Sequence, residues 1–119
     1  MSDESGRINP DWECTPQEVH QRRRDGEELI LIDCRTHEER ALVSIEDSVH
    51  VPQDELSSNL ERLFRMEDAS ELVVYCHHGV RSLAVVAALR EAGFESVRSM
   101  AGGIHRWSKE VDPDLPTYS

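Results

Sequence analysis

The sequence has few aromatic residues and no long apolar run, and each shortage narrows the class of protein. Aromatic residues make up 5% of the 119 residues, so we expect a core built mainly from aliphatic side chains. The longest apolar run, residues 83–89, is far below the ~20 residues needed to span a bilayer. The N-terminal segment is polar and acidic and lacks the apolar stretch of a secretory signal. We therefore expect a cytoplasmic protein with no membrane association.

Basic residues are also a minority, which bears on the partners of the protein. The chain has 13 basic and 24 acidic residues and a net charge of −11. Phosphate backbones bind to basic surfaces, so this balance argues against a nucleic-acid partner. The one basic block, residues 22–24, is flanked by acidic residues and is typical of a solvated helix face.

Cysteine is scarce as well. Cys14, Cys34 and Cys76 are an odd number without a paired spacing, which favours a reducing compartment and at least one free thiol.

The length fits one domain. We expect a flexible polar leader over residues 1–11, one domain over residues 12–111 and a surface tail over residues 112–119. A monomer is the default expectation.

Apolar strands alternate with amphipathic helices along the chain. Helices are predicted over residues 15–25, 36–42, 54–66, 82–92 and 104–111, and strands over residues 29–32, 48–51, 72–75 and 96–100. The first helix has a clear start, because Thr15 can cap it and Pro16 suits its first position. This alternation predicts an α/β fold with a mainly parallel sheet.

The segment after the apolar strand 72–75 is the candidate site. Ligands of open α/β sheets bind at the carboxyl ends of the strands, and Cys76 lies at such an end. A tight turn into a helix directs backbone N–H groups into a shared hollow, which favours an anion and lowers the pKa of a thiol there. We expect Ser82 to cap the helix. The predicted catalytic residue is Cys76, and the predicted substrate-binding residues are His77, His78, Gly79, Val80, Arg81 and Ser82.

Cys76 has two other interpretations, as a packed core residue or as a metal ligand. The polar residues His77 and His78 follow it at once, so the chain is leaving the core, whereas Cys34 follows a buried strand and suits packing better. Adjacent residues do not easily converge on one ion, and no CxxC or HxxxH pair completes a site, so we expect no metal. His77 and His78 are either exposed loop side chains or lie at the mouth of the pocket.

Several motifs resemble the rhodanese family. LIDCR at residues 31–35 is similar to the LIDVR strand of that family, with Cys34 in place of the usual valine. VVYCHHGVRS at 73–82 resembles its active-site strand and loop, and GGIHRW at 102–107 resembles its C-terminal GG-x-x-x-W signature. The resemblance covers roughly residues 12–111. The tail 107–118 is similar to rhodanese domains fused behind adenylyltransferases of sulfur carriers, and we expect a stand-alone version here.

The resemblance implies a rhodanese-like three-layer fold, with a five-stranded, mainly parallel sheet and helices on both faces. It implies a persulfide on Cys76 and sulfur transfer from thiosulfate or a persulfide donor to cyanide, a thiol or a protein, without a cofactor. The sequence departs from the family at Val43-Ser44-Ile45, where a Gly-His-Ile segment is frequent, and we expect altered local packing there. Asp33 and Arg35 match family positions, and we expect a structural ion pair.

Three other functions stay open at this point. A cysteine phosphatase or arsenate reductase needs five residues between its cysteine and arginine, whereas four separate Cys76 from Arg81, so the loop suits sulfur better than phosphate. A non-catalytic binding or regulatory module is the second alternative, although such modules lack the cysteine. A sulfur carrier loaded only by a protein donor is the third.

Overall fold

The computed structural model describes residues 8–119, in which five strands alternate with five α-helices. Residues 1–7 of the predicted leader lie outside the described range. The elements are β1 (Glu13–Cys14), α1 (Pro16–Arg24), β2 (Leu29–Asp33), α2 (His37–Leu42), β3 (Val49–His50), α3 (Leu60–Glu67), β4 (Glu71–Tyr75), α4 (Val80–Glu91), β5 (Val97–Met100) and α5 (Gly103–Glu110).

The strands form one sheet in the order β1-β5-β4-β2-β3. Every strand pairing within residues 8–119 is parallel, and the register places Ile32 of β2 beside Val74 of the central strand β4. Continuous apolar sequence is typical of strands that are buried on both faces, which is why β2 and β4 could be predicted. The sheet confirms the predicted α/β fold.

Side chains of β4 alternate between two hydrophobic cores, one on each face of the sheet. Leu72 and Val74 pack with α3 and α4, whereas Val73 and Tyr75 pack with α1 and α5. Trp107 of α5 belongs to the second core. Two helical layers therefore cover the sheet, and this three-layer arrangement confirms the predicted rhodanese-like architecture.

The start of α1 follows the predicted chemistry. Thr15 accepts the Glu18 N–H at 3.1 Å through its hydroxyl, and Pro16 occupies the first turn. Gly26, just beyond the helix, has a φ of 77°.

Two predicted features of the secondary structure were wrong. The two-residue strand β1 was not expected, and the helix predicted over residues 54–66 is shorter, because two 3₁₀ turns over Gln53–Glu55 and Ser57–Asn59 precede α3. The Ser58 hydroxyl and the Asn59 amide both donate to the Glu55 carbonyl, at 3.0 and 2.8 Å. Such side-chain bonds compete with the helical backbone pattern.

Among the described residues, none of the helices is both long enough and apolar enough to cross a membrane.

Candidate active site

Cys76 lies directly after β4, at the carboxyl end of the central strand, and only 1% of its surface is exposed. Its neighbour across the sheet is Cys34, which directly follows β2 after the register pair Asp33–Tyr75. The Cys34 N–H donates to the Tyr75 carbonyl at 3.1 Å, so the parallel pairing continues into both cysteines. The sheet thus brings two thiols together at the edge where the sequence predicted the site.

The Cys76 sulfur is surrounded by hydrogen-bond donors. The Gly79 N–H and the Ser82 N–H donate to Cys76 Sγ at 3.1 and 3.3 Å, and Ser82 Oγ lies 3.4 Å from the same sulfur. The Cys34 thiol is a further neighbour of this sulfur. Cys34 above all, together with the donors from Ser82 and Gly79, lowers the pKa of Cys76 to about 5 against the opposing effect of burial. A pKa of this size favours the thiolate form of Cys76 at neutral pH, and the catalytic role of Cys76 stays a prediction.

Cys34 contributes more to this site than the sequence indicated. The interaction with Cys76 and burial both raise the pKa of Cys34, so that its thiol stays protonated beside the Cys76 sulfur. Sequence patterns suggested packing alone, because no local motif shows which residue follows the neighbouring strand. The only available signal was the cysteine that replaces valine in LIDCR.

Residues 76–82, here named the Cys76 loop, enter α4 differently from the prediction. Ser82 is not the helix cap, because α4 begins at Val80 and Gly79 occupies the cap position with a φ of 100°. Ser82 is instead buried in the first turn. Its hydroxyl lies 2.7 Å from that of Ser99 on β5. This contact positions the Ser82 side chain beside Cys76.

The start of α5 fixes the Cys76 loop from a second side. The Ile104 N–H donates to the Cys76 carbonyl at 2.9 Å, and the His105 N–H donates to the His77 carbonyl at 3.1 Å. Gly103 makes this approach possible: a Cβ atom there would lie 2.4 Å from both carbonyl oxygens. The second glycine of the GGIHRW motif is therefore needed for the close approach of α5 to the Cys76 loop.

Arg81 does not present a free charge. Its two terminal nitrogens donate to Glu39 of α2 at 2.6 and 2.8 Å, a bidentate ion pair. The pair raises the pKa of Arg81 and holds the pKa of Glu39 well below its usual range. The predicted role of Arg81 in substrate binding remains a prediction, and its charge is shared with a carboxylate that the sequence did not point to.

The C-terminal tail reaches back to this region. The Tyr118 ring stacks on the His77 ring with centroids 3.9 Å apart, and its hydroxyl donates to Glu39 at 2.5 Å. Arg35 donates to the same hydroxyl at 3.1 Å. Burial and the hydrogen bond to Glu39 raise the pKa of Tyr118 to about 12. The tail thus lies against the residues that flank the Cys76 loop.

Asp33 and Arg35 form a buried ion pair beneath the loop, in agreement with the structural role expected for them. Arg35 donates to the two carboxylate oxygens of Asp33 at 2.8 and 2.7 Å, and both side chains are fully buried. Arg35 also donates to the Val43 carbonyl at 2.7 Å, and the Ile45 N–H donates to the Tyr75 hydroxyl at 3.1 Å. These bonds anchor the segment that lacks the Gly-His pair.

The remaining loop residues differ in exposure. Val80 is 78% exposed and points its side chain to solvent. His77 is half-buried and His78 is exposed, and their rings lie 3.8 Å apart with the His105 ring beside them. Burial and the nearby His78 lower the pKa of His77. The sequence argument against a metal rested on two assumptions: that adjacent histidines do not converge, and that no third ligand joins them. In the structure the rings of His77 and His78 do lie together, and His105 is a third histidine beside them.

A cleft of about 480 Å³ adjoins the loop. Cys34 and Arg81 line it together with Thr36, Pro52 and residues of α2. The cleft places open space next to Cys34 and Arg81, on the side that faces α2.

Comparison with known proteins gives the class to which this fold and site belong. Residues 15–110 match the Rhodanese-like domain family, and the chain belongs to that family. It is 35% identical over 104 residues to the probable adenylyltransferase/sulfurtransferase MoeZ of Mycobacterium tuberculosis. That match covers 87% of this chain and 26% of MoeZ, so the chain spans about a quarter of this relative.

Solved structures show the same fold at full domain length. A rhodanese-like domain protein from Staphylococcus aureus superposes with a TM-score of 0.75 at 27% identity, covering 91% of this chain and 99% of that one. The human single-domain sulfurtransferase TSTD1 gives a TM-score of 0.70 at 26% identity, covering 82% and 96%. The family and these relatives support a sulfurtransferase-type role in general terms.

Proposed function

We propose that this protein is a sulfurtransferase that moves sulfane sulfur from thiosulfate or a persulfide donor to a thiophilic acceptor through a Cys76 persulfide. The observation that carries the proposal is the environment of Cys76 Sγ, which receives two backbone N–H groups and has a pKa of about 5. A thiolate at neutral pH is the nucleophile that sulfur transfer requires.

In the first half-reaction, the Cys76 thiolate attacks the outer sulfur of thiosulfate. A bond forms between Sγ and that sulfur, the sulfur–sulfur bond of thiosulfate breaks, and sulfite leaves with the bonding electron pair. In the second half-reaction, cyanide or a thiolate attacks the outer sulfur, and the Cys76 thiolate is released. No proton needs to move in either step when cyanide is the acceptor.

The Cys76 loop has donors for the anionic outer sulfur. The N–H groups of His78, Val80 and Arg81 donate to no protein acceptor within residues 8–119. Backbone N–H groups that are already oriented stabilise developing negative charge without reorganisation. We therefore propose that residues 77–82 bind the substrate mainly through their backbone N–H groups, and that the side chains of His77 and His78 lie at the mouth of the loop.

The ion pair of Arg81 also bears on phosphate chemistry. A cysteine phosphatase uses its loop arginine to grip two phosphate oxygens, whereas both terminal nitrogens of Arg81 already bind Glu39. A smaller anionic group held by backbone N–H groups suits this loop better. The non-catalytic alternative is disfavoured by the low pKa of Cys76, which packing alone would raise.

The test is intact-protein mass spectrometry after incubation with thiosulfate in the absence of reductant. We expect the wild type to gain the mass of one sulfur atom, and cyanide to remove it with release of thiocyanate. The Cys76→Ser variant should fold but gain nothing. A matched Cys14→Ser variant, which removes a buried thiol on β1, should gain one sulfur like the wild type. Full sulfur loading of Cys76→Ser would refute the proposed mechanism.

A further inference from the structure

Three imidazole rings meet at the mouth of the Cys76 loop. His77 and His78 belong to the loop, and His105 lies on α5; together they are named here the histidine cluster. The ring centroids of His77 and His78 are 3.8 Å apart, and those of His78 and His105 are 4.8 Å apart. One ring nitrogen from each residue lies within 4.8 Å of the other two. The sequence gives no sign of this group, because His105 is distant along the chain.

The backbone holds the histidine cluster in place. The hydrogen bond from the His105 N–H to the His77 carbonyl, at 3.1 Å, fixes the two segments side by side. The close packing of Gly103 against the same carbonyl, described above, restricts movement of α5. Any ligand of the cluster therefore meets backbones that are already positioned, and only side-chain rotations are needed to close around it.

Two nitrogens of the cluster have no hydrogen-bond partner in the part of the chain that the structure describes. Among residues 8–119, His77 Nε2 and His105 Nδ1 are buried and accept or donate no hydrogen bond. Buried polar atoms in folded proteins nearly always have a partner, so two such atoms in one cluster indicate a ligand or solvent between the rings. His78 is exposed, which leaves the cluster open on its solvent side.

We propose that His77, His78 and His105 form a binding site for one divalent transition-metal ion of the zinc type, with a coordination position open to solvent. Imidazole nitrogens bind Zn²⁺ at about 2.0–2.1 Å, which places the nitrogens of a tetrahedral site roughly 3.4 Å apart. The observed spacing, up to 4.8 Å, comes within reach of this value by rotation of the rings. Three neutral nitrogen ligands select zinc, cobalt, nickel or copper over magnesium and calcium, which prefer oxygen ligands.

The test is calorimetric titration of the Cys76→Ser protein with Zn²⁺, because this background removes the thiolate as a competing ligand. It also makes the result independent of sulfur transfer, so failure of the metal site and failure of the proposed function can be told apart. We expect binding of one ion, with Kd in the range of about 1 μM or tighter, equivalent to ~8 kcal/mol. Adding His78→Ala or His105→Ala should weaken binding at least about tenfold.

The matched control is His37→Ala in the same background. His37 and His50 form a two-histidine contact elsewhere, with ring centroids 4.9 Å apart, and loss of His37 should leave zinc affinity unchanged. Thermal unfolding shows whether each variant is folded. If His105→Ala is unstable, the His78→Ala variant alone tests the proposal, because His78 is exposed and its replacement should not disturb the fold. Zn²⁺ should also raise the melting temperature of the Cys76→Ser protein. No binding at about 100 μM Zn²⁺, or equal binding after His78→Ala, would overturn the proposal.

Discussion

The effect of the neighbouring Cys34 thiol on Cys76 makes the replacement of Cys34 the most informative test of the reactive sulfur. A Cys34→Val substitution keeps an apolar side chain at this position but removes the S–H donor. Because Cys34 makes the largest contribution that lowers the pKa of Cys76, the pKa should rise from about 5 when its S–H group is removed. A hydrogen bond to a charged acceptor contributes about 1.5–3 kcal/mol, which corresponds to ~1–2 pKa units. The expected pKa of Cys76 in the variant is therefore roughly 6–7.

The assay is the rate of alkylation of Cys76 by iodoacetamide as a function of pH, followed by intact mass. The midpoint of the profile is the readout, because the plateau also changes with the intrinsic nucleophilicity of the thiolate. Cys34→Ser retains a donor and should shift the midpoint less than Cys34→Val does. Cys14→Ser, which alters a thiol that contacts the Ser99 carbonyl, should leave it unchanged. An unchanged midpoint in Cys34→Val would refute the assignment of Cys34 as the main donor.

Four further outcomes follow from the structure. Gly103→Ala should lower the free energy of unfolding, measured by urea titration, by about 2–5 kcal/mol, because the alanine combines a strained left-handed backbone with steric overlap. Gly26→Ala has open space around it and should lower the free energy of unfolding by about 1–2 kcal/mol, from the backbone strain alone. Equal losses in the two variants would contradict the packing argument. Tyr118→Phe should lower the free energy of unfolding by about 1 kcal/mol in the same titration, because the variant keeps the ring stack but loses the hydrogen bonds of the hydroxyl. An unchanged urea midpoint would mean that the hydroxyl lies in solvent. Arg81→Ala should lower kcat/KM for thiosulfate several-fold in a thiocyanate assay, and unchanged kinetics would remove Arg81 from substrate binding. The folded pKa of Cys76 lies below its ordinary value of 9.0, so the stability that the thiolate contributes is present in full above pH 9 and is lost as the pH falls toward about 5. The difference in unfolding free energy between the wild type and Cys76→Ser should therefore decrease over this pH range. A difference that does not change with pH would contradict this reasoning.

The parts of the fold that could be predicted are those whose signal is local. The apolar strands β2 and β4 are continuous in sequence, and Thr15 and Pro16 mark the start of α1 without reference to any distant residue. The two-residue strand β1 has no pattern of its own and exists because it pairs with β5. Its prediction would have required knowledge of the finished sheet.

The candidate site divides in the same way. Cys76 and its loop could be recognised because a strand end, a glycine and a helix start adjoin one another in the chain. The contacts of Glu39 with Arg81 and with Tyr118 join residues 42 and 79 positions apart, and no local pattern reports them. The cap assigned to Ser82 was wrong because propensity favours serine at that position, whereas the actual turn needs the positive φ of Gly79.

The backbone bonds between α5 and the Cys76 loop have a consequence for the timing of reactivity during synthesis. Cys76 is translated well before Gly103 and Ile104, whose backbone holds the loop carbonyls. A nascent chain that ends before α5 lacks these bonds, and one that ends before β5 also lacks Ser99, which positions Ser82. We expect the thiol of such a chain to react like that of an ordinary exposed cysteine. We therefore expect the low pKa of Cys76 to be a property of the folded domain and not of the loop sequence alone.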